Sequence, residues 1–375
     1  MYKIMTAGPT QVRENVRMAR SLETTNPDLD VDFCEFYKET CDMLQEMLHS
    51  TGTAYILGGE GILGLEAACA SLTEPGDRVL VLDNGIFGKG FADFVTMYGG
   101  EAVLFTSDYQ CPINPDDLRA FLEKDSDFKY ATVVHCDTPS GVLNDISKLC
   151  PLLAEYGILS VVDSVAGMFG EYVNVDESQI DILCGGSQKA LSAPPGLTML
   201  WVSDKAMKAM EDRKTPIASF YANILTFRNY YIDKWFPYTM PISDINGLRV
   251  ALENVKADKD MLERHARIAK ATRQAVQNAG LKLYLRDGYS NTVTVIEVPQ
   301  GTTADQILAT MCDKYNIMIS GCFDVLAGKV IRIGHMGENA NVEDMLLTLD
   351  AMDKTFAELG VKLACSMKEE FRKLV

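Results

Sequence analysis

The sequence predicts an α/β fold: a large domain with a mostly parallel seven-stranded sheet flanked by helices, plus a smaller C-terminal α/β domain. Three observations predict it. Seven short runs, at 55–57, 78–82, 102–105, 131–135, 158–162, 181–184 and 197–202, are rich in Val, Leu and Ile without polar alternation, the composition of strands buried on both faces. Helical patterns at 63–72, 87–97, 115–122 and 146–156 alternate with them, and strand–helix–strand in series means a mostly parallel sheet with helices on both sides. Beyond an irregular, aromatic-rich stretch at 207–246, one long helical pattern at 247–279 leads into strand patterns at 282–285, 292–297, 317–320 and 330–333, with helical patterns at 304–314 and 342–359. The expected division is a large domain over 15–246 and a small one over 247–375 that takes in segment 1–14, with a site in the cleft between them.

At 375 residues the chain has about two domains' worth of length by the usual ~150-residue measure. It can bury a large core without disulfides or a structural metal. The net charge of −17 argues against a nucleic-acid or anionic-membrane partner, since both reward basic patches. The ten cysteines are scattered with no C-x-x-C pair, and the four histidines have no metal-ligand spacing, so no metal is expected. No apolar run reaches the ~18 residues of a membrane span. Residues 1–5 lack the apolar core of a signal peptide, and a cytoplasmic location is the expectation.

A parallel sheet gathers its ligand-binding residues at the carboxyl ends of its strands. Lys189, in Gly185-Gly186-Ser187-Gln188-Lys189-Ala190-Leu191, falls just past an apolar strand. An isolated lysine is ordinarily an exposed loop residue. A Schiff-base lysine sits at such a place when a dry site lowers its pKa. Asp163 ends the strand Ile158-Leu159-Ser160-Val161-Val162. Alone it reads equally as a cap. With Lys189 it makes chemical sense, because a pyridinium nitrogen needs a carboxylate to stay protonated while the ring withdraws electrons. The third segment, Gly58-Gly59-Glu60-Gly61-Ile62-Leu63-Gly64, follows a strand and opens a helix, where bare amides bind phosphate. Gly59, Gly61 and Gly64 also satisfy G-x-G-x-x-G, with Asp83 ending the next strand, so a nicotinamide-dependent dehydrogenase is a rival. That rival leaves Lys189 and Asp163 unexplained, whereas a pyridoxal phosphate site uses all three segments.

These segments resemble the fold-type I, class V pyridoxal-phosphate-dependent aminotransferases, in the alanine–glyoxylate / serine–pyruvate branch. The resemblance runs from Thr6-Ala7-Gly8-Pro9-Thr10 over nearly the whole chain and is most specific at Ser187-Gln188-Lys189-Ala190-Leu191 and Ala193-Pro194-Pro195-Gly196. It implies that Lys189 carries pyridoxal 5′-phosphate, Asp163 meets the ring nitrogen, Phe87 stacks on the ring, and Val165 lies beneath it. It further implies that Thr138 meets the ring-oxygen side, and that Gln188 with the Gly61 and Ile62 amides binds the phosphate. Thr239 is expected to reach the phosphate of a neighbouring subunit, making a homodimer the active unit. Arg332, set between isoleucines, is expected to bind the substrate carboxylate through its guanidinium fork, with Pro9 nearby. Two positions depart from the pattern. Phe236 stands where relatives carry a phosphate-binding tyrosine, with Tyr238 close by. Glu60 stands where many carry Ser or Thr, and is expected to turn away from the phosphate or to meet the substrate amine.

The implied activity is transfer of an amino group from a small amino acid of the alanine or serine type to a 2-oxo acid such as glyoxylate or pyruvate. Donors such as 2-aminoethylphosphonate, ureidoglycine or pyridoxamine remain as alternatives, as does a lyase. Phe87 in the stacking position argues against a desulfurase, which places a histidine there.

Overall fold

The computed structural model describes residues 2–375. Its central sheet has seven strands: β1 Thr53–Gly58, β2 Arg78–Asp83, β3 Glu101–Thr106, β4 Tyr130–Val134, β5 Leu159–Asp163, β6 Ile182–Gly186 and β7 Leu197–Val202. Their order is β1-β7-β6-β5-β4-β2-β3. β7 runs antiparallel to both its neighbours, and the remaining pairs are parallel. Every residue of β4, β6 and β7 is buried, which is why these strands read as continuous apolar runs.

The helices begin where local chemistry provides a cap. Asn114 accepts from the Asp116 N–H ahead of Pro115, and Ser203 accepts from Ala206 N–H. Thr303 and Gln306 form a reciprocal capping box. The helix Gly61–Leu72 is the most apolar, with Leu65, Ala67, Ala68, Cys69, Ala70 and Leu72 all buried. It lies against the sheet so closely that a Cβ on Gly64 would stand 2.3 Å from Thr198 Cγ2. Gly64 is therefore glycine for helix–sheet contact.

Two hydrophobic cores are present. The larger surrounds the sheet. The second joins Ile268, Val276, Ile296, Ile307, Ile331, Leu349 and Phe356 with Met5 of the N-terminal segment. Lys3–Ile4 pairs in parallel with Ile317–Met318, and Val293–Glu297 pairs antiparallel with Val330–Gly334.

Two expected elements differ. The single helix at 247–279 is two, Ile242–Ala257 and Met261–Asn278. Asp258 leaves helical geometry, and its carboxylate pairs with Arg264 across the break at 2.6 Å. The segment at 282–285 is no strand. It makes one bridge, Leu283 to Ile296, and its backbone then turns to the Gln110 loop, where Arg286 N–H meets Gln110 C=O at 3.0 Å and Gln110 Nε2 meets Tyr284 C=O at 2.8 Å. Helix Val31–Met47 was not anticipated from the sequence. No helix among the described residues is long and apolar enough to cross a membrane.

Candidate active site

The loops after β1, β2, β4, β5 and β6 leave the sheet on one side, because those strands all point the same way. They enclose a cavity of about 300 Å³ lined by Pro9, Glu60, Ile62, Phe87, Thr138, Asp163, Val165, Gln188 and Lys189, together with Gly8, Cys136 and Pro195. Eight of the residues expected in the site thus meet in one pocket: Pro9, Ile62, Phe87, Thr138, Asp163, Val165, Gln188 and Lys189. Gly61 is buried directly behind it, where a Cβ would stand 2.7 Å from Val165 Cγ2.

Lys189 is half-buried, and its ammonium donates to the Ala7 carbonyl at 2.7 Å. Burial is the main cause of its lowered pKa, with the Arg332 charge second. The N-terminal segment braces the lysine loop: Thr10 N–H meets Gln188 C=O at 3.0 Å, and Thr10 Oγ1 donates to Lys189 C=O at 3.0 Å. Gly8 has a φ of +103°, and a Cβ there would lie 2.5 Å from Lys189 Nζ. Both its conformation and the lysine's space require glycine.

Asp163 ends β5 in the pocket, buried, accepting the Val165 N–H at 2.9 Å. Desolvation raises its pKa to about 7. Asp137 is a residue that sequence reasoning passed over. Fully buried, it accepts from Phe87 N–H at 3.0 Å and Ser140 Oγ at 2.7 Å, tying the β4 loop to the helix start that carries Phe87. Its signal was the Asp-x-x-Ser spacing of a side-chain-bonded turn.

Arg332 stands beside the pocket. Its Nε donates to Gly321 C=O at 2.7 Å and Nη1 to Thr138 C=O at 3.2 Å, and it pairs with no carboxylate among the described residues. Burial lowers its pKa. A guanidinium that is 9% exposed and bonded only to carbonyls retains capacity for a carboxylate ligand.

Thr239 is not brought to this pocket; its hydroxyl donates to Asp28 at 2.8 Å. Tyr238 stacks on Tyr221 at 4.3 Å between centroids, and Phe236 packs on Tyr37 and Tyr230. His335 is a buried structural residue bonded to Thr294 and the Asn291 carbonyl. Glu60 does not turn away. It lines the pocket, and its Oε2 accepts from Gln188 Nε2 at 2.7 Å.

A half-buried amine, a buried carboxylate and apolar walls meet in one pocket. The class defined is that of lysine-centred enzymes on a mostly parallel sheet. The chain matches the family described as Aminotransferase class-V over residues 27–342, and it belongs to that family of pyridoxal-phosphate-dependent transaminases. It is 33% identical over 364 residues to an uncharacterized aminotransferase of Methanocaldococcus jannaschii, spanning 96% of this chain and 94% of the other. It is 32% identical to the pyridoxamine–pyruvate transaminase of Mesorhizobium japonicum, over 96% and 93%. The crystal structure of ureidoglycine–glyoxylate aminotransferase from Bacillus subtilis superposes with a TM-score of 0.95 at 26% identity, over 100% of this chain and 98% of the other.

The residues fit the pyridine ring of such a cofactor: Lys189 for the aldehyde carbon, Asp163 for the nitrogen, Phe87 and Val165 for the faces. The fit fails at the phosphate end. The backbone amides at Gly61 and Ile62 suit an anion, but Glu60 holds the side-chain amide of Gln188 and brings a negative charge of its own.

Proposed function

We propose that this chain is an aminotransferase that moves the amino group of a small amino acid, of the alanine or serine type, to a 2-oxo acid such as glyoxylate or pyruvate. The observation that carries the reading is the half-buried, pKa-depressed Lys189 in one pocket with the buried Asp163. A pyridoxal-type ring, when bound, supplies the electron sink that acidifies the substrate Cα–H.

The chain's own residues do the rest. Lys189 would carry the proton between the substrate Cα and C4′ of such a ring. Burial lowers its pKa, which favours the neutral, basic form. Asp163 holds the proton on the ring nitrogen, and the ion pair so formed offsets the desolvation that raises its pKa in the free site. Arg332 takes the carboxylate of donor and acceptor in turn and fixes the Cα–H toward the lysine. Phe87 and Val165 exclude water from the two ring faces, and Thr138 bonds on the ring-oxygen side. In this reading the active unit is a cytoplasmic homodimer, in which Thr239 serves the neighbouring subunit's site.

Lys189→Ala tests the assignment. Single-turnover amino transfer should fall by at least ~10³-fold, the scale of losing a positioned acid–base group, with the fold retained by circular dichroism. Near-normal turnover in that variant would refute it.

A further inference from the structure

The phosphate end of the pocket carries one more reading. Glu60 is the N-cap residue of Gly61–Leu72, yet its side chain makes no capping bond. It instead reaches Gln188, while the Thr198 hydroxyl holds the Glu60 and Gly59 carbonyls at 2.7 and 3.1 Å and so fixes the loop. Gln188 is 7% exposed, and its Oε1 is buried without a partner. Beside the Gly61 and Ile62 amides, the side chains at this end therefore present a carboxylate and an unpaired amide oxygen, both acceptors. Lys189 is the only cation among the lining residues, and it belongs to the aldehyde end of the ring.

A phosphate monoester near pH 7 carries between one and two negative charges, and its dominant dianion accepts hydrogen bonds without donating them. It would meet Glu60 by repulsion and would leave Gln188 Oε1 unsatisfied. A hydroxymethyl group at the same ring position is neutral and donates one hydrogen bond, which suits Glu60 or Gln188.

We propose that Glu60 selects the ring without its phosphate, so that this site takes pyridoxal and pyridoxamine as exchanging substrates. The inference rests on the aminotransferase reading and replaces a resident carrier with a diffusible one. The phosphate is the anchor that would retain the ring when its bond to Lys189 is open. Without that anchor the amine form is held by stacking and one ion pair, and it leaves. The net reaction is balanced: pyridoxamine and a 2-oxo acid give pyridoxal and an amino acid. The amine nitrogen passes from C4′ to the acceptor carbon and the acceptor's oxygen is exchanged through water, one molecule being released on condensation and one consumed on hydrolysis. C4′ is oxidised from amine to aldehyde, and the acceptor carbon is reduced by the same two electrons, its new hydrogen delivered through Lys189.

The test is a binding measurement on the full chain. Pyridoxal and pyridoxal 5′-phosphate are each titrated against the wild type, Glu60→Gln and Glu60→Thr, following the absorbance of the Lys189 adduct. Pyridoxamine and its phosphate are compared by equilibrium dialysis. The expected result is that the wild type binds pyridoxal at least tenfold more tightly than the phosphate ester, and that both variants shift this ratio at least tenfold toward the ester. Tighter binding of the ester by the wild type, or a ratio unchanged in both variants, overturns the proposal and leaves the aminotransferase reading intact. Failure of both aldehydes to form an adduct with Lys189 overturns both readings.

Discussion

Arg332 and Asp163 are the two charged side chains whose burial is hardest to explain without a ligand. Arg332→Lys keeps the charge and loses the two-pronged geometry. Replacing a charge-assisted pair of bonds costs on the order of 2 kcal/mol, so KM for the carboxylate substrates should rise roughly 10- to 100-fold, with kcat reduced less. Steady-state kinetics with alanine and pyruvate check this, and an unchanged KM would remove Arg332 from the substrate site. Asp163 gives a stability prediction. Its folded pKa, about 7, lies above the 3.8 of a free carboxyl, so the folded state holds the proton longer. The associated stability is present below about pH 4 and is lost as pH rises through about 7, to a maximum of roughly 4 kcal/mol. In urea titrations of ligand-free protein, Asp163→Asn should therefore lack this loss and gain on the wild type between pH 5 and pH 8. Parallel curves for the two proteins would contradict the assigned burial. At this scale the sequence was legible where a residue type ended a buried run, as Asp163 and Lys189 do. It marked Glu60 as a departure but did not give the contact its side chain makes, because that depends on Gln188, distant in sequence and adjacent only after folding.

At the scale of elements, the helix Gly61–Leu72 positions one end of the site and is pinned to the sheet at Gly64. Gly64→Val should overpack this contact, with a cost of about 1–3 kcal/mol, and tilt the amides that face the pocket. The urea midpoint and the affinity for a pyridoxal-type ligand should fall together; a fully stable variant would show that the contact relaxes. The glycine pattern that resembled a dinucleotide fingerprint thus has a packing cause. The parallel strands could be read from the sequence because burial on both faces removes polar alternation. The break at Asp258 could not, since an Asp-Lys-Asp run looks the same on a solvated helix face as at a helix end. The 282–285 segment pairs only briefly with Val293–Glu297, through Tyr284 N–H to Val295 C=O and Glu297 N–H to Lys282 C=O, before the Tyr284 carbonyl and the Arg286 amide turn to Gln110.

Across the whole molecule, several large apolar side chains are exposed near the 236–239 segment. Leu29 is 81% and Ile232 80% exposed, and Phe220, Tyr221 and Trp235 are also exposed. The Thr239–Asp28 and Lys234–Glu35 contacts bring their segments together. Such a patch beside the 236–239 segment supports the homodimer reading. Sedimentation should give a species of twice 41.4 kDa. A fully active monomer would refute it.

The most direct test of the central claim is the visible spectrum of purified protein given pyridoxal or its phosphate, before and after L-alanine. The account predicts an absorbance band that requires Lys189 and bleaches as alanine is converted to pyruvate. A protein that shows no such band with either aldehyde, and instead binds a nicotinamide dinucleotide, would contradict it.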